Sequence, residues 1–575
     1  MSMRRFSLAI STLLALGTAM PSQAEMSRGF SGAYLSARQA SRTSDFEAAA
    51  RFYQEALSHD SGNAQLLEAL IISELSLGNL DSALPFAREL TDSGQSSQIA
   101  HMVEAAALAA EGEYDELIDR LGRKEGIGPL VDGLLRAWAL LGKGNMTDAL
   151  VAFDEVGNEK GLLGFALYHK ALALASVGDF EGAEAIYSGA DGNGAVQMTR
   201  RGAMARIEVL SQLDRNDDAL TLLDRAFGAE LDPQLRDMRA ALEAGETLPF
   251  THVTGARDGM AEVFFSIAGA LKNETEDDYT LLYSRIAEYL RPDHIDALLL
   301  SAGLLEDLGR YELATRTYRR VTPDNPAFHA AELGRADSLR REGKVEAAIE
   351  VMEQLTRTHG DLPVVYVTLG DTLRQQERFE EAAAAYDKAL DLYGEPQPEQ
   401  WFIYYARAIS HERVGAWQKA EDGFRTALEL NPDQPQVLNY LGYSLVERQE
   451  KLDEALGMIE RAVTERPDSG YIVDSLGWAL YRLDRYEEAV GHMERAVELM
   501  PVDPVVNDHL GDVLWAVGRE MEARFQWRRA LSFITPQSDL EEVRPERIRR
   551  KLEIGLDHVL AEEGAPPLKV ANDEI

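Results

Sequence analysis

The chain contains no cysteine among its 575 residues. That excludes disulfides, thiol catalysis, cysteine-ligated zinc and lipidation at a cysteine. Basic residues are scarce beside acidic ones, 58 against 97, for a formal charge of −39. The basic footprint that nucleic acid or an anionic bilayer would require is missing. An acidic surface of this size either serves solubility or favours a cationic partner. Long apolar runs are also missing, with one exception at the N-terminus. Met1–Ala24 has Arg4 and Arg5, an apolar run from Phe6 to Met20, the helix breaker Pro21 and a small-x-small site at Ser22-Gln23-Ala24. That pattern predicts a cleaved signal peptide over 1–24, whose loss takes the charge to −41 and leaves a soluble, exported protein. No later stretch approaches the ~18 apolar residues of a membrane span.

Catalytic signatures are absent as well. The sequence has no His-Glu-x-x-His, no Gly-x-x-x-x-Gly-Lys and no Gly-x-Ser-x-Gly. No two of the eleven histidines stand three or four apart, so no helical metal pair forms, and no cofactor or metal is expected. His294 and His329, 35 apart, are read as a coincidence of spacing. Acid pairs such as Glu380-Glu381 and Glu487-Glu488 are read as helix openers that suit the helix dipole.

What the sequence does have is a period. Leu-Gly recurs at Leu441-Gly442, Leu476-Gly477 and Leu510-Gly511, in steps of 35 and 34. Ala455, Ala489 and Ala523 follow in a second helical pattern, in steps of 34. Ala462, Ala496 and Ala530 come seven residues after each of these. Two helices per unit, A and B, with small residues at fixed phases, allow a short distance between helix axes. One such unit cannot bury its own apolar face, so stability comes from stacking neighbours. The helix-B alanines extend back through Ala420, Ala382, Ala348 and Ala314. Prolines end units at Pro292, Pro326, Pro432, Pro467 and Pro501. A regular array is therefore predicted over 261–535.

Upstream, over 25–243, the same period is degenerate. Phe46, Ala49, Tyr53 and Ala56 share one helical face. Ala83 follows Ala49 by 34, and Gly112, Gly144 and Gly178 mark further turns. The stretch 244–260 lacks helical periodicity and is either a hinge or a long inter-repeat loop. After the array, 536–563 is expected to form a capping helix with Ile548, Leu552, Leu556 and Leu560 against the last repeat, and 564–575 a disordered tail.

In a right-handed array the A helices line the concave face. Counting from the Leu-Gly pairs, the outward A positions are Tyr405, Asn439, Tyr443, Asp474, Trp478, Tyr481, Arg482, Asp508 and Asp512, and further back Arg340, Arg341, Asp371, Arg374 and Gln375. Exposed tyrosine, tryptophan and arginine are frequent interface anchors. Tyr443, Trp478 and Tyr481 either project into that groove or fill the core between repeats.

These motifs resemble those of bacterial tetratricopeptide-repeat proteins over nearly all of the mature chain. The runs Leu438-Asn439-Tyr440-Leu441-Gly442-Tyr443 and Asp474-Ser475-Leu476-Gly477-Trp478, with Tyr481-Arg482, resemble a proteobacterial envelope subgroup. One type in that subgroup is an outer-membrane lipoprotein that binds a carboxyl-terminal processing protease and delivers substrates to it. Its anchor is a lipidated cysteine, which this chain lacks. The resemblance implies an all-α, right-handed solenoid of stacked antiparallel helix pairs. It also implies a non-enzymatic periplasmic scaffold or adaptor with protein or peptide partners, among them an envelope protease or cell-wall hydrolase. A self-assembling envelope protein and a regulatory subunit of an envelope enzyme are the alternatives.

Overall fold

A computed structural model describes residues 29–122, 126–190, 192, 198–228, 231–536 and 543–568. The expected signal peptide and the end of the tail lie outside them. The described residues form thirty-one α-helices and one short 3-10 turn, with no strand. No helix among them is long and apolar enough to cross a membrane. Two compact units divide the chain, 1–345 and 346–575, and the stretch 244–260 falls inside the first.

The helix pairs are joined by one recurring turn. A residue just past the end of helix A takes a left-handed conformation, and the next N–H reaches back to a carbonyl of the last turn. Gly78 has φ +83°; its N–H bonds Leu75 O at 2.8 Å, and Asn79 N–H bonds Glu74 O at 2.9 Å. Glycine fills this slot at most turns because it carries no Cβ to strain. Asp484, with φ +61°, makes the same turn, with Arg485 N–H bonding Leu480 O at 2.9 Å. Proline stands at the start of the A helices Pro363–Gln375, Pro435–Glu447 and Pro504–Ala516, where no N–H is needed.

In four helix pairs of the second unit an A-helix glycine faces a large side chain of helix B, while in the pair Trp401–Arg413 and Trp417–Leu430 the glycine is Gly423 of helix B, against Ala408. A Cβ on Gly370 would stand 2.8 Å from Tyr386 Cε1. One on Gly442 would stand 2.7 Å from Ile459 Cγ1 and 3.0 Å from the carbonyl of Ala455. One on Gly477 would stand 2.6 Å from Met493 Cγ. The contact is therefore small against large, one turn beyond the alanine that the sequence pattern singles out.

In the first unit the chain fills its own groove. Helices Ala256–Leu271 and Asp277–Leu290 lie against the A helices Ala64–Ser76, Gln98–Glu111, Pro129–Gly142 and Leu163–Ser176. Of those A helices Gln98–Glu111 is the most enclosed: Ile99 through Ala109 are all buried, His101 and Glu104 among them. Such a helix needs cover on both faces. Gly259 has no side chain where the Trp138 indole packs, so the inserted helix can approach closely. Polar links fix the insert. Tyr168 donates to Glu262 at 2.8 Å, Arg285 Nε donates to Ser76 O at 3.1 Å, and Tyr279 donates to Gln98 Oε1 at 3.0 Å. Beyond the insert, Arg310 donates to Thr43 O at 2.6 Å and Arg316 pairs with Glu47 at 2.7 Å, returning to the first repeat.

Candidate functional site: an aromatic cleft in the second unit

Three successive A helices, Pro435–Glu447, Gly470–Arg482 and Pro504–Ala516, stand side by side in the second unit. The repeat period puts Tyr443, Trp478 and Asp512 in equivalent positions, each directly after its Leu-Gly pair. The helices Pro545–Ile554 and Leu556–Glu562 follow the last repeat, and Ile548, Leu556 and Val559 are buried. Leu552 and Leu560 are half-buried. Together these elements enclose a cleft of about 450 Å³.

One wall of the cleft is aromatic. The Trp478 indole stacks on Tyr481 at 4.8 Å between centroids and on the His509 imidazole at 4.0 Å, with 15° between the latter planes. Trp478 Nε1 donates to Glu447 Oε1 at 2.7 Å, which fixes the ring from the neighbouring repeat. His509 Nδ1 donates to Asp474 at 3.0 Å. Burial pulls the His509 imidazole down, but the carboxylates of Asp474, Asp508 and Asp512 together outweigh it and leave the group above its usual value. Burial pushes the Tyr481 phenol well above its ordinary range.

Behind this wall sits a buried charge network. Lys551 is fully buried and donates to Asp508 Oδ1 and Asp512 Oδ1, at 2.6 Å each. Trp527 Nε1 donates to Asp512 Oδ1 at 2.9 Å, and Arg547 reaches Asp512 Oδ2 at 3.3 Å. Burial raises the Asp508 carboxyl, against the pull of Lys551. An ammonium in such surroundings is tolerated only when paired and hydrogen-bonded. Arg547 also forks onto Glu563 at 2.8 and 3.1 Å, tying the end of the last helix to the cleft floor.

The residues singled out from the sequence therefore divide. Tyr443, Trp478, Tyr481, Arg482, Asp508 and Asp512 line the cleft. Asp474 is buried behind it on His509, and Asn439 is buried with Oδ1 unbonded. Asp474, Asp512, Tyr481 and Asn439 thus do not stand outward, as the count from Leu-Gly had placed them; Asp474 and Asp512 turn toward His509 and Lys551, cations that the count did not include. Tyr405 packs among Trp401, Phe424 and Tyr440 in an earlier repeat. Arg374 donates to Tyr386 at 3.2 Å and pairs with Asp371. Arg340 pairs with Asp337 and Arg341 with Asp337, both within the first unit. His509, Lys551 and Arg547 were not picked out. The period held a signal for one of them, since His509 adjoins Asp508, which stands one 34-residue step after Asp474.

A second cavity, of about 670 Å³, lies in the first unit among Phe165, Phe265, Leu299 and Leu300. Its charged floor is internally paired: Arg201 binds Glu262 and Asp296, and His294 Nε2 contacts Glu262 at 3.2 Å. His294 and His329 do not form a pair; His329 Nδ1 donates to Pro326 O. Among the described residues no group of three His, Asp or Glu side chains could hold a metal ion.

The tetratricopeptide-repeat family model matches residues 34–98, 299–363, 367–435, 405–470 and 441–504, the last three of which run without a break through the repeats that carry Tyr443 and Trp478. These segments are tetratricopeptide repeats. TPR repeat-containing protein PA4667 of Pseudomonas aeruginosa is 29% identical over 190 residues, 33% of this chain and 31% of that protein. Human protein O-mannosyl-transferase TMTC1 is 26% identical over 183 residues, 32% of this chain and 20% of that protein. The chain thus spans a third or less of the curated relatives it matches. Among solved structures, the Cut9–Hcn1 hetero-tetramer has a TM-score of 0.36 at 15% identity over 92% of this chain and 97% of its own. YrrB, a TPR protein described as having an unusual peptide-binding site, has a TM-score of 0.28 at 18% identity over 32% of this chain and 94% of its own.

Proposed function

We propose that this protein is a non-enzymatic, exported scaffold that holds a segment of a protein partner against the Tyr443–Trp478–Tyr481–His509 wall. The observation that carries this reading is the stack of Trp478 between Tyr481 and His509, half-buried and facing a cleft of about 450 Å³. Rigid aromatic faces supply contact area at little entropic cost, and they are common anchors of interfaces. The wall is set from behind by Asp474 and Glu447, so it does not have to order on binding. The first unit's own groove is filled by helices Ala256–Leu271 and Asp277–Leu290, which favours the second unit as the binding part.

The signal-like N-terminus supports a periplasmic setting, and the resemblance of the Leu-Gly-Trp segment supports an adaptor for an envelope protease or cell-wall hydrolase. Affinity capture from an envelope fraction, compared between the native chain and Trp478→Ala, tests this. A recovered protease or hydrolase that is lost with Trp478→Ala supports the adaptor role. Recovery of no such enzyme, or equal recovery by both chains, overturns it.

A further inference from the structure

The chain's own segment Ala565–Leu568 forms part of the cleft: Ala565, Pro566, Pro567 and Leu568 line it together with Tyr443, Trp478 and Tyr481. The route is fixed by the cap of the last helix. Gly564 takes φ +70°, and Ala565 N–H bonds Leu560 O at 2.9 Å, which turns the chain back toward the repeats. The Arg547 fork onto Glu563 holds that turn beside Asp512. Beyond the last helix Ala565 and Leu568 are half-buried, and Pro566 and Pro567 between them are exposed. Two consecutive prolines have fixed φ and donate no N–H, so they favour an extended, preformed strand without internal hydrogen bonds. Flat aromatic grooves recognise such segments by stacking against the pyrrolidine rings, with little ordering cost.

Resting on the reading of the cleft as a partner site, we propose that its ligand is an extended, proline-bearing apolar segment, and that Ala565–Leu568 is an intramolecular competitor for the same aromatic wall. About 450 Å³, the small end of ligand sites, stays open with Ala565–Leu568 forming part of the cleft's lining, so an extended segment longer than a few residues laid along the aromatic wall has to displace them. A tether as short as this one presents the tail at an effective concentration in the millimolar range, so a partner must displace it.

The test uses the full chain and a tail variant, Pro566→Ser with Pro567→Ser and Leu568→Ser, which leaves the helix cap at Gly564 and Ala565 in place. Both are labelled with 5-fluorotryptophan, and the Trp478 resonance is assigned among the six tryptophans by its loss in Trp478→Phe. A fluorescein-labelled Gly-Ala-Pro-Pro-Leu amide is titrated into each protein and followed by anisotropy. The Trp478 resonance is expected to shift in the tail variant. The peptide is expected to bind the tail variant about tenfold or more tighter than the native chain, with binding lost in a tail variant that also carries Trp478→Ala. An unshifted resonance, equal peptide binding by native and tail-variant chains, or binding indifferent to Trp478→Ala overturns the proposal. Partner capture that depends on Trp478 while the peptide and the resonance stay silent overturns this inference alone and leaves the scaffold reading standing.

Discussion

Gly511 lies against the indole of Trp527: a Cβ at Gly511 would collide with its Nε1 and Cδ1 edge. Trp527 cannot yield, because it is fully buried, bonds Asp512 and packs on Trp515 at 5.3 Å. Gly511→Ala is expected to destabilise the second unit by about 1–3 kcal/mol, as overpacking of a filled core does. Gly457, inside helix Leu452–Glu465, has nothing within 4 Å of its Cβ position. Gly457→Ala is expected to add about 0.5–1 kcal/mol, since only helix propensity is at stake. Urea unfolding of the two variants side by side checks both signs.

The insert in the first unit depends on a buried charge. Burial alone would lift the Glu262 carboxyl, but Arg201 and then His294 outweigh it and hold it well below the usual carboxylate range. A depressed carboxyl contributes stability that is present above its unfolded value and lost as pH falls. The loss is therefore expected below about pH 4.3. Glu262→Gln leaves Arg201 buried with Asp296 as its remaining carboxylate, and is expected to cost about 3 kcal/mol at neutral pH. The variant should also lose part of the native chain's steepness in acid. Thermal melts between pH 3 and 7 measure both.

His509 works in the opposite direction. Its imidazole is held above the usual value because Asp474, with Asp508 and Asp512, outweighs burial. A raised histidine contributes stability that is fully present below about pH 6.5 and is lost as pH rises through the folded value. Asp474→Asn removes the carboxylate and leaves the burial, so the His509 midpoint is expected to fall below its native position. NMR titration of the His509 ring protons, assigned by His509→Gln, reads that shift. A midpoint unmoved by Asp474→Asn would mean that another group sets it.

Much of this was legible in the sequence, and the remainder was not for identifiable reasons. A small residue every 34 positions gave helix pairs, because close axis crossings tolerate nothing larger, and the cleft row Tyr443, Trp478 and Asp512 follows from the same period. The partner of each glycine was misplaced by one turn. Spacing finds the small residue, but the large side chain that fills the gap, Ile459, Met493 or Trp527, follows no fixed identity. The fold-back of 256–290 was missed because periodicity reports how repeats stack and not what lies in their groove. Its signal was the run Ile99–Ala109, in which only His101 and Glu104 are polar. The inward turn of Asp474 and Asp512 was missed because their cations, His509 and Lys551, come from another repeat and from beyond the repeats.

The central claim is that Tyr443 and Trp478 are binding surface carried by a scaffold that stands without them. The most direct measurement pairs capture of the partner with the far-ultraviolet circular dichroism melt of Tyr443→Ala/Trp478→Ala. The account expects capture to be lost while helicity is kept and the melting midpoint moves by no more than a few degrees. Undiminished capture, or a chain that unfolds when the two rings are removed, would contradict it.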